Sequence, residues 1–200
     1  QFASSAASDV YKRQEYIRNL PCRRENKGGD VGNKIHYNRQ SEDTFVLDKP
    51  ELSNIREFVK SKLFKFAREV MCSKDEVVIT QSWINKSGKG ESHHEHVHPN
   101  SMISGVWYPV INEQLPPIQF RSRAQRDIAL SNDKYNNFNS ATFLLPMKMG
   151  EIIIFPSNLT HSVPANQSET ERISLSFNTW VKGSLGDINS LTYLPLDRCV

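Results

Sequence analysis

From about residue 76 onward, apolar residues in this chain recur at every second position. A period of two limits that part of the chain to short, half-buried strands. The segment Arg172-Ile-Ser174-Leu-Ser176-Phe-Asn178-Thr-Trp180 is the strictest case. Ile173, Leu175 and Phe177 fall on one face, and Arg172, Ser174, Ser176 and Asn178 on the other. Segments 76–84, 102–109, 118–121, 142–145 and 151–155 read in the same way.

Ahead of the strands the period changes. Leu52, Ile55, Val59, Leu63, Phe66 and Val70 fall in steps of three and four, which predicts one amphipathic helix over 50–71 with Pro50 at its start. A helix followed by many short strands predicts a mainly β fold, a sandwich or barrel with a packed helical layer. In such a barrel, segment 172–181 turns its apolar face to the helix and its polar face to a cavity. Residues 1–14 show neither period and are set aside as a non-native or disordered tail, leaving 15–200 as a single domain. They have no charged stretch ahead of an apolar one, so they do not read as a secretory signal. Residues 15–47 carry Gly28, Gly29 and scattered charges, and predict loops with one short edge strand near 44–47. The polar segment 121–140 predicts a long loop, which reads equally as a lid and as a plain connection.

Composition narrows the classes. Apolar residues are only 38% of the 200, but ten Phe, six Tyr and three Trp can fill one core. No apolar run approaches 18 residues, which excludes a membrane-spanning helix. Lys and Arg number 25 against 22 acidic residues, and no basic block argues for a nucleic-acid partner. Cys22, Cys72 and Cys199 are odd in number and far apart. They make neither a disulfide framework nor a zinc spacing, and point to a reducing, cytoplasmic setting.

The histidines are the anomaly. Four of the six fall in His93-His94-Glu95-His96-Val97-His98-Pro99. A period of two puts His94, His96 and His98 on one face, with His93, Glu95 and Val97 on the other. Imidazoles two residues apart on a strand reach adjacent positions of one metal ion, and a third ligand must come from elsewhere. His161 lies just beyond Gly150-Glu-Ile-Ile-Ile-Phe155-Pro156, where a returning strand can present it. By themselves the cluster reads equally well as a solvated turn, and Arg172 as a surface residue. The balance shifts because Arg172 opens a polar strand face eleven residues after His161, and its planar fork matches a carboxylate.

Together these residues resemble the iron(II)- and 2-oxoglutarate-dependent oxygenases, nearest to a small branch from marine bacteria and their phages. The resemblance spans about 44–181. It is carried by Gln81-Ser-Trp83-Ile-Asn85, His96-Val-His98-Pro-Asn-Ser101, Ser104-Gly-Val-Trp-Tyr108, Gly150-Glu-Ile-Ile-Ile-Phe-Pro-Ser157, and His161 with Arg172-Ile-Ser174. It implies a double-stranded β-helix, or jelly roll, with a metal at its mouth. Iron(II) would be held by His96, His98 and His161. The far carboxylate of 2-oxoglutarate would be held by Arg172, Ser174 and Tyr108, with Asn85 as a further co-substrate contact. The implied partners are 2-oxoglutarate, oxygen and a substrate that at family level is a protein or peptide side chain. The implied reaction is oxidative decarboxylation of 2-oxoglutarate to succinate and carbon dioxide, coupled to hydroxylation of a substrate carbon, in the cytoplasm of the cell or of a phage host.

His98 departs from the family pattern, which usually has a carboxylate there. Two other registers, His93-x-Glu95 and His94-x-His96, remain open. His96 with His98 is preferred because Pro99-Asn100 closes the motif as in the prolyl hydroxylases. The residues also admit a different three-histidine metalloenzyme, of zinc-hydration or cupin type, and a non-catalytic metal-binding jelly-roll module. Neither alternative gives Arg172 and Ser174 a part in 2-oxoglutarate binding. The sequence leaves a homodimer open.

Overall fold

The strictly alternating segment lies in the middle of the main sheet. The computed structural model describes residues 2–24, 38–109, 114–122, 131–136 and 139–196. Among them the strands are β1 Cys22–Arg24, β2 Arg39–Ser41, β3 Val77–Ser87, β4 His93–His96, β5 Ile103–Trp107, β6 Ile118–Arg121, β7 Thr142–Leu145, β8 Ile152–Pro156, β9 His161–Val163 and β10 Arg172–Val181. They form two antiparallel sheets, one in the order β1-β2-β3-β10-β5-β8 and the other β4-β9-β6-β7. The helices are α1 Phe2–Asn19 and α2 Ser53–Lys65. The expected mainly β architecture with a helical layer is the one observed.

β10 divides its two faces as its alternation requires. Ile173, Leu175 and Phe177 pack with Ile55, Val59 and Leu63 of α2 and with Ile17 of α1. Each large apolar side chain fully buried there contributes about 1.5–3 kcal/mol. Phe177 sits so close to β5 that a Cβ on Gly105 would fall 2.2 Å from its ring, so only glycine fits that position. A second cluster of Val106, Tyr108, Ile118, Phe120 and Phe155 joins the two sheets. The polar face of β10 is left looking into the space between them.

Three expectations change. The helix over 50–71 is built in pieces: a 3-10 turn at Pro50–Leu52, then α2, then a π turn at Phe66–Val70. The wider π turn shifts the phase of the buried face. Val70 is therefore 67% exposed although it continues the spacing of three and four, while Ala67, four residues after Leu63, stays buried. No strand forms near 44–47, where Val46–Asp48 is a 3-10 turn that drops Val46 and Leu47 into the core. The Leu47 N–H donates to Ser82 Oγ at 2.9 Å, and Phe45 makes a single bridge to Ser82. The sheet edge is β1 with β2, whose residues carry no apolar alternation.

Residues 2–14, set aside as a tail, form the first part of α1. Gln14 Nε2 donates to Pro109 O at 3.2 Å, and Ile17 is buried. Buried Lys86 on β3 donates to Arg18 O at 2.7 Å and Leu20 O at 3.1 Å. It thereby sets a positive charge on the carbonyl end of α1. Gly28, Gly29, Cys199 and half of the loop 121–140 (residues 123–130 and 137–138) lie outside the described residues. Among the described residues, no helix is long and apolar enough to cross a membrane.

Candidate metal centre

β4 and β9 pair antiparallel with His96 opposite His161, so the returning strand brings His161 to the cluster. The ladder slips between His93 and His96. This bulge breaks the period of two, because an extra residue on one strand re-aims the side chains beside it. His93 was expected on the opposite face. It instead lines the same cavity as His96, with the two rings stacked at 4.3 Å between centroids. Glu95 turns away and pairs with Arg121 Nη2 at 2.5 Å near the surface, so the His93-x-Glu95 register does not form. His94 packs against His93 and His96, but its ring is not part of the nitrogen cluster. His98 follows β4, and its backbone N–H donates to Ser157 O at 2.9 Å. Asn100, at φ 55°, then turns the chain away.

His96, His98 and His161 each bring one ring nitrogen within 4.8 Å of the others. The opposite ring nitrogens are already engaged. Nδ1–H donates to His94 O in His96 (2.8 Å), to Leu159 O in His161 (2.8 Å) and to Asn178 Oδ1 in His98 (2.5 Å). A proton on each Nδ1 leaves each Nε2 as a bare lone pair. The Nε2 atoms of His96 and His98 face each other at 3.2 Å and cannot hydrogen-bond to one another in this tautomer. Two nitrogens about 2.1 Å from one ion and at right angles stand about 3.0 Å apart. A first-row metal held there would turn that lone-pair repulsion into a chelate.

Burial keeps these rings neutral. Desolvation, with the charge of neighbouring imidazoles, pushes His96 down to about 3, and desolvation foremost pushes His161 down to about 4. His98 is lowered by burial as well. All three therefore offer lone pairs at neutral pH. In the unfolded chain a histidine protonates near pH 6.5. The metal-free unfolded state thus takes up protons before the folded one does, and stability falls as pH drops from about 6.5 towards 4. Urea midpoints for the metal-free protein should decline steadily between pH 7 and pH 4.5.

Inward from the cluster, between the sheets, lies a narrow cavity of about 20 Å³. Asn85, Arg172, Ser174 and Ser176 line it from the main sheet. Arg172 is 3% exposed. Its Nε donates to Pro116 O at 3.0 Å and its Nη1 to Ser174 Oγ at 3.2 Å, while the guanidinium stands 5.4 Å from the Tyr108 ring centroid. Among the described residues it has no carboxylate partner. A buried charge without its counter-ion costs several kcal/mol, so this is a position prepared for an anion. Tyr108 is wholly buried, and its hydroxyl has no hydrogen-bond partner. Burial raises its pKa, which keeps the proton available for donation. An orphaned hydroxyl beside an unpaired guanidinium fits the tail of a dicarboxylate.

Asn85 lines the same cavity, and its amide is engaged by the protein. Its Oδ1 accepts from Asn38 Nδ2 (3.1 Å), Trp83 Nε1 (3.2 Å) and Gln40 Nε2 (3.3 Å), and its Nδ2 donates to Ser176 Oγ (2.8 Å). It braces β2, β3 and β10 against each other. On the outer side of the histidines a wider groove of about 520 Å³ opens, with Gln81, Trp83 and Asn178 in its wall. Sequence reasoning passed over two residues of the site. Asn178 was legible as inward-facing from the alternation of β10, but nothing indicated His98 as its partner. His93 had no local signal, since the bulge is set by pairing with β9.

A family model described as "Putative 2OG-Fe(II) oxygenase" matches residues 81–178, from β3 to β10. A search of curated proteins finds no match. Solved structures share the fold at low identity. An oxidoreductase of the 2OG-Fe(II) oxygenase family from Burkholderia pseudomallei is 14% identical over 85% of this chain and 77% of its own, with a TM-score of 0.60. HygX from Streptomyces hygroscopicus, with nickel, 2-oxoglutarate and hygromycin B bound, is 11% identical over 86% and 78%, with a TM-score of 0.57. A prolyl-4-hydroxylase from Pseudomonas putida is 11% identical over 88% and 85%, with a TM-score of 0.53. The jelly roll and its histidine triad thus lie within the segment 81–178 that matches the 2OG-Fe(II) oxygenases, enzymes whose cofactors are iron(II) and 2-oxoglutarate.

Proposed function

We propose that His96, His98 and His161 hold the iron through their Nε2 atoms, and that Arg172, Ser174 and Tyr108 hold the far carboxylate of 2-oxoglutarate. The reaction proposed is hydroxylation of a protein or peptide side chain admitted through the wider groove. One observation carries this reading: a single cavity has three converging imidazole lone pairs at one end and a buried, carboxylate-free Arg172 at the other. The size of the outer groove and the likeness to a prolyl-4-hydroxylase support a peptide substrate.

When bound, the iron supplies oxygen activation at the expense of 2-oxoglutarate, which leaves as succinate and carbon dioxide. The residues of the chain supply position and charge. The three Nδ1–H donors fix tautomer and ring plane before any metal arrives. Arg172, held by Pro116 O and Ser174, offers a preset fork, and Tyr108 adds a third donor. His98 contributes no negative charge, so a bound iron(II) and Arg172 would together exceed the two negative charges of 2-oxoglutarate by one. A cavity of about 20 Å³ admits little more than a water molecule, so its walls part when the five-carbon dianion enters. A cytoplasmic setting is proposed alongside, in keeping with free Cys22 and Cys72.

Anaerobic titration of the iron(II) protein with 2-oxoglutarate tests the reading. A visible band near roughly 500 nm, from chelation of the keto acid by iron, is expected to grow to one equivalent. Iron binding with no such band would return the site to a three-histidine centre of another kind.

A further inference from the structure

Of the three histidines, His96 and His161 give their Nδ1 protons to backbone carbonyls. Only His98 gives its proton to a side chain, Asn178 Oδ1, at 2.5 Å. Ser104, fully buried, donates to the same oxygen at 2.8 Å. Ser104 Oγ also lies 3.0 Å from His98 Nδ1, so ring, amide and hydroxyl meet in one buried three-way contact. Behind Ser104 a chain of hydroxyls continues to Ser157 (2.8 Å) and Ser101 (2.7 Å), and the Thr179 N–H donates to Ser101 Oγ at 3.2 Å. The His98 backbone is tied to Ser157 O, so ring and main chain are held by one buried network.

We propose that Asn178 is the positioning residue for His98: as a neutral acceptor locked by Ser104, it fixes the tautomer and tilt of that ring and sets its strength as a metal donor. This rests on His98 being a ligand. Of the two oxygens facing Nδ1, Asn178 Oδ1 is the nearer, at 2.5 Å against 3.0 Å for Ser104 Oγ, and without a strong acceptor there the proton can move to Nε2 and block the metal. A neutral acceptor has a second consequence. His98 stands where the family usually has a carboxylate, and an amide behind it leaves the ligand set without negative charge. An aspartate at 178 would return part of that charge through the ring, since a carboxylate partner raises the basicity of a ligating imidazole.

The test is cobalt(II) affinity of the anaerobic, full-length protein, without 2-oxoglutarate or substrate, for the parent, Asn178→Leu, Asn178→Asp and Ser104→Ala. Outer-shell partners of this kind are worth about 10–100-fold in metal affinity. Asn178→Leu, shown to be folded by circular dichroism, should lose that much. Asn178→Asp should bind at least as tightly as the parent, with a shifted cobalt visible spectrum. Ser104→Ala should lose less than the leucine variant. A folded Asn178→Leu protein that binds like the parent overturns the proposal. Weaker binding by Asn178→Asp overturns it too, and that arm decides alone if the leucine variant does not fold. A parent that binds no cobalt overturns the metal centre itself, a result distinct from either.

Discussion

An Arg172→Ala protein is expected to bind 2-oxoglutarate about thirtyfold more weakly than its parent, or worse, with iron affinity nearly unchanged. Truncating one partner of a charged pair in a largely dry pocket costs on the order of 2–5 kcal/mol. The lower figure alone is about thirtyfold, at about 1.4 kcal/mol per decade. The guanidinium is held ready by Pro116 O and Ser174, so little ordering is left for the co-substrate to impose. Lysine at 172 should recover only part of the loss, because a point charge cannot keep Ser174 and Pro116 O while also meeting both carboxylate oxygens. Calorimetric titration of the nickel-loaded protein with 2-oxoglutarate measures the difference without turnover. An Arg172→Ala protein that binds as tightly as the parent would remove the assigned clamp and leave Tyr108 with an orphaned hydroxyl and no ligand to explain it.

His161→Ala is expected to abolish metal retention through desalting, a loss beyond the roughly hundredfold that outer-shell changes reach. The ring supplies one of three converging nitrogens and comes from a different strand, so nothing else among the described residues replaces it. His93→Ala is the informative control. Its ring stacks on His96 and faces the cavity, but its nitrogens are not part of the cluster, and its Nδ1 lies 3.4 Å from Asn38 Nδ2. A loss of about tenfold or less is expected there, through the tilt of His96. Metal content by mass spectrometry, together with cobalt titration, separates the two. Equal losses in both variants would mean that the histidines are a sticky loop rather than an ordered centre.

The sequence by itself determined what depends on regular ladders. β6, β7 and β10 have the bounds that the period of two predicts, and the other predicted strands differ by a few residues. The inward placement of Arg172, Ser174, Ser176 and Asn178 follows from the same alternation, because side chains on an unbroken strand must change faces at each step. The residue types also limited the chemistry, since imidazoles two apart and a lone arginine on a polar face suit a metal and an anion. Tertiary structure alone decided the rest. The bulge that brings His93 beside His96 is fixed by pairing with β9, and the π turn that leaves Val70 exposed shows in no local spacing. The opposition of His96 and His161, the closing of Lys86 on α1 and the seat of His98 on Asn178 all join residues far apart in the chain. A hydrophobic pattern specifies which face of a strand is buried, whereas a hydrogen bond between distant side chains is specified only once both strands have been set in register.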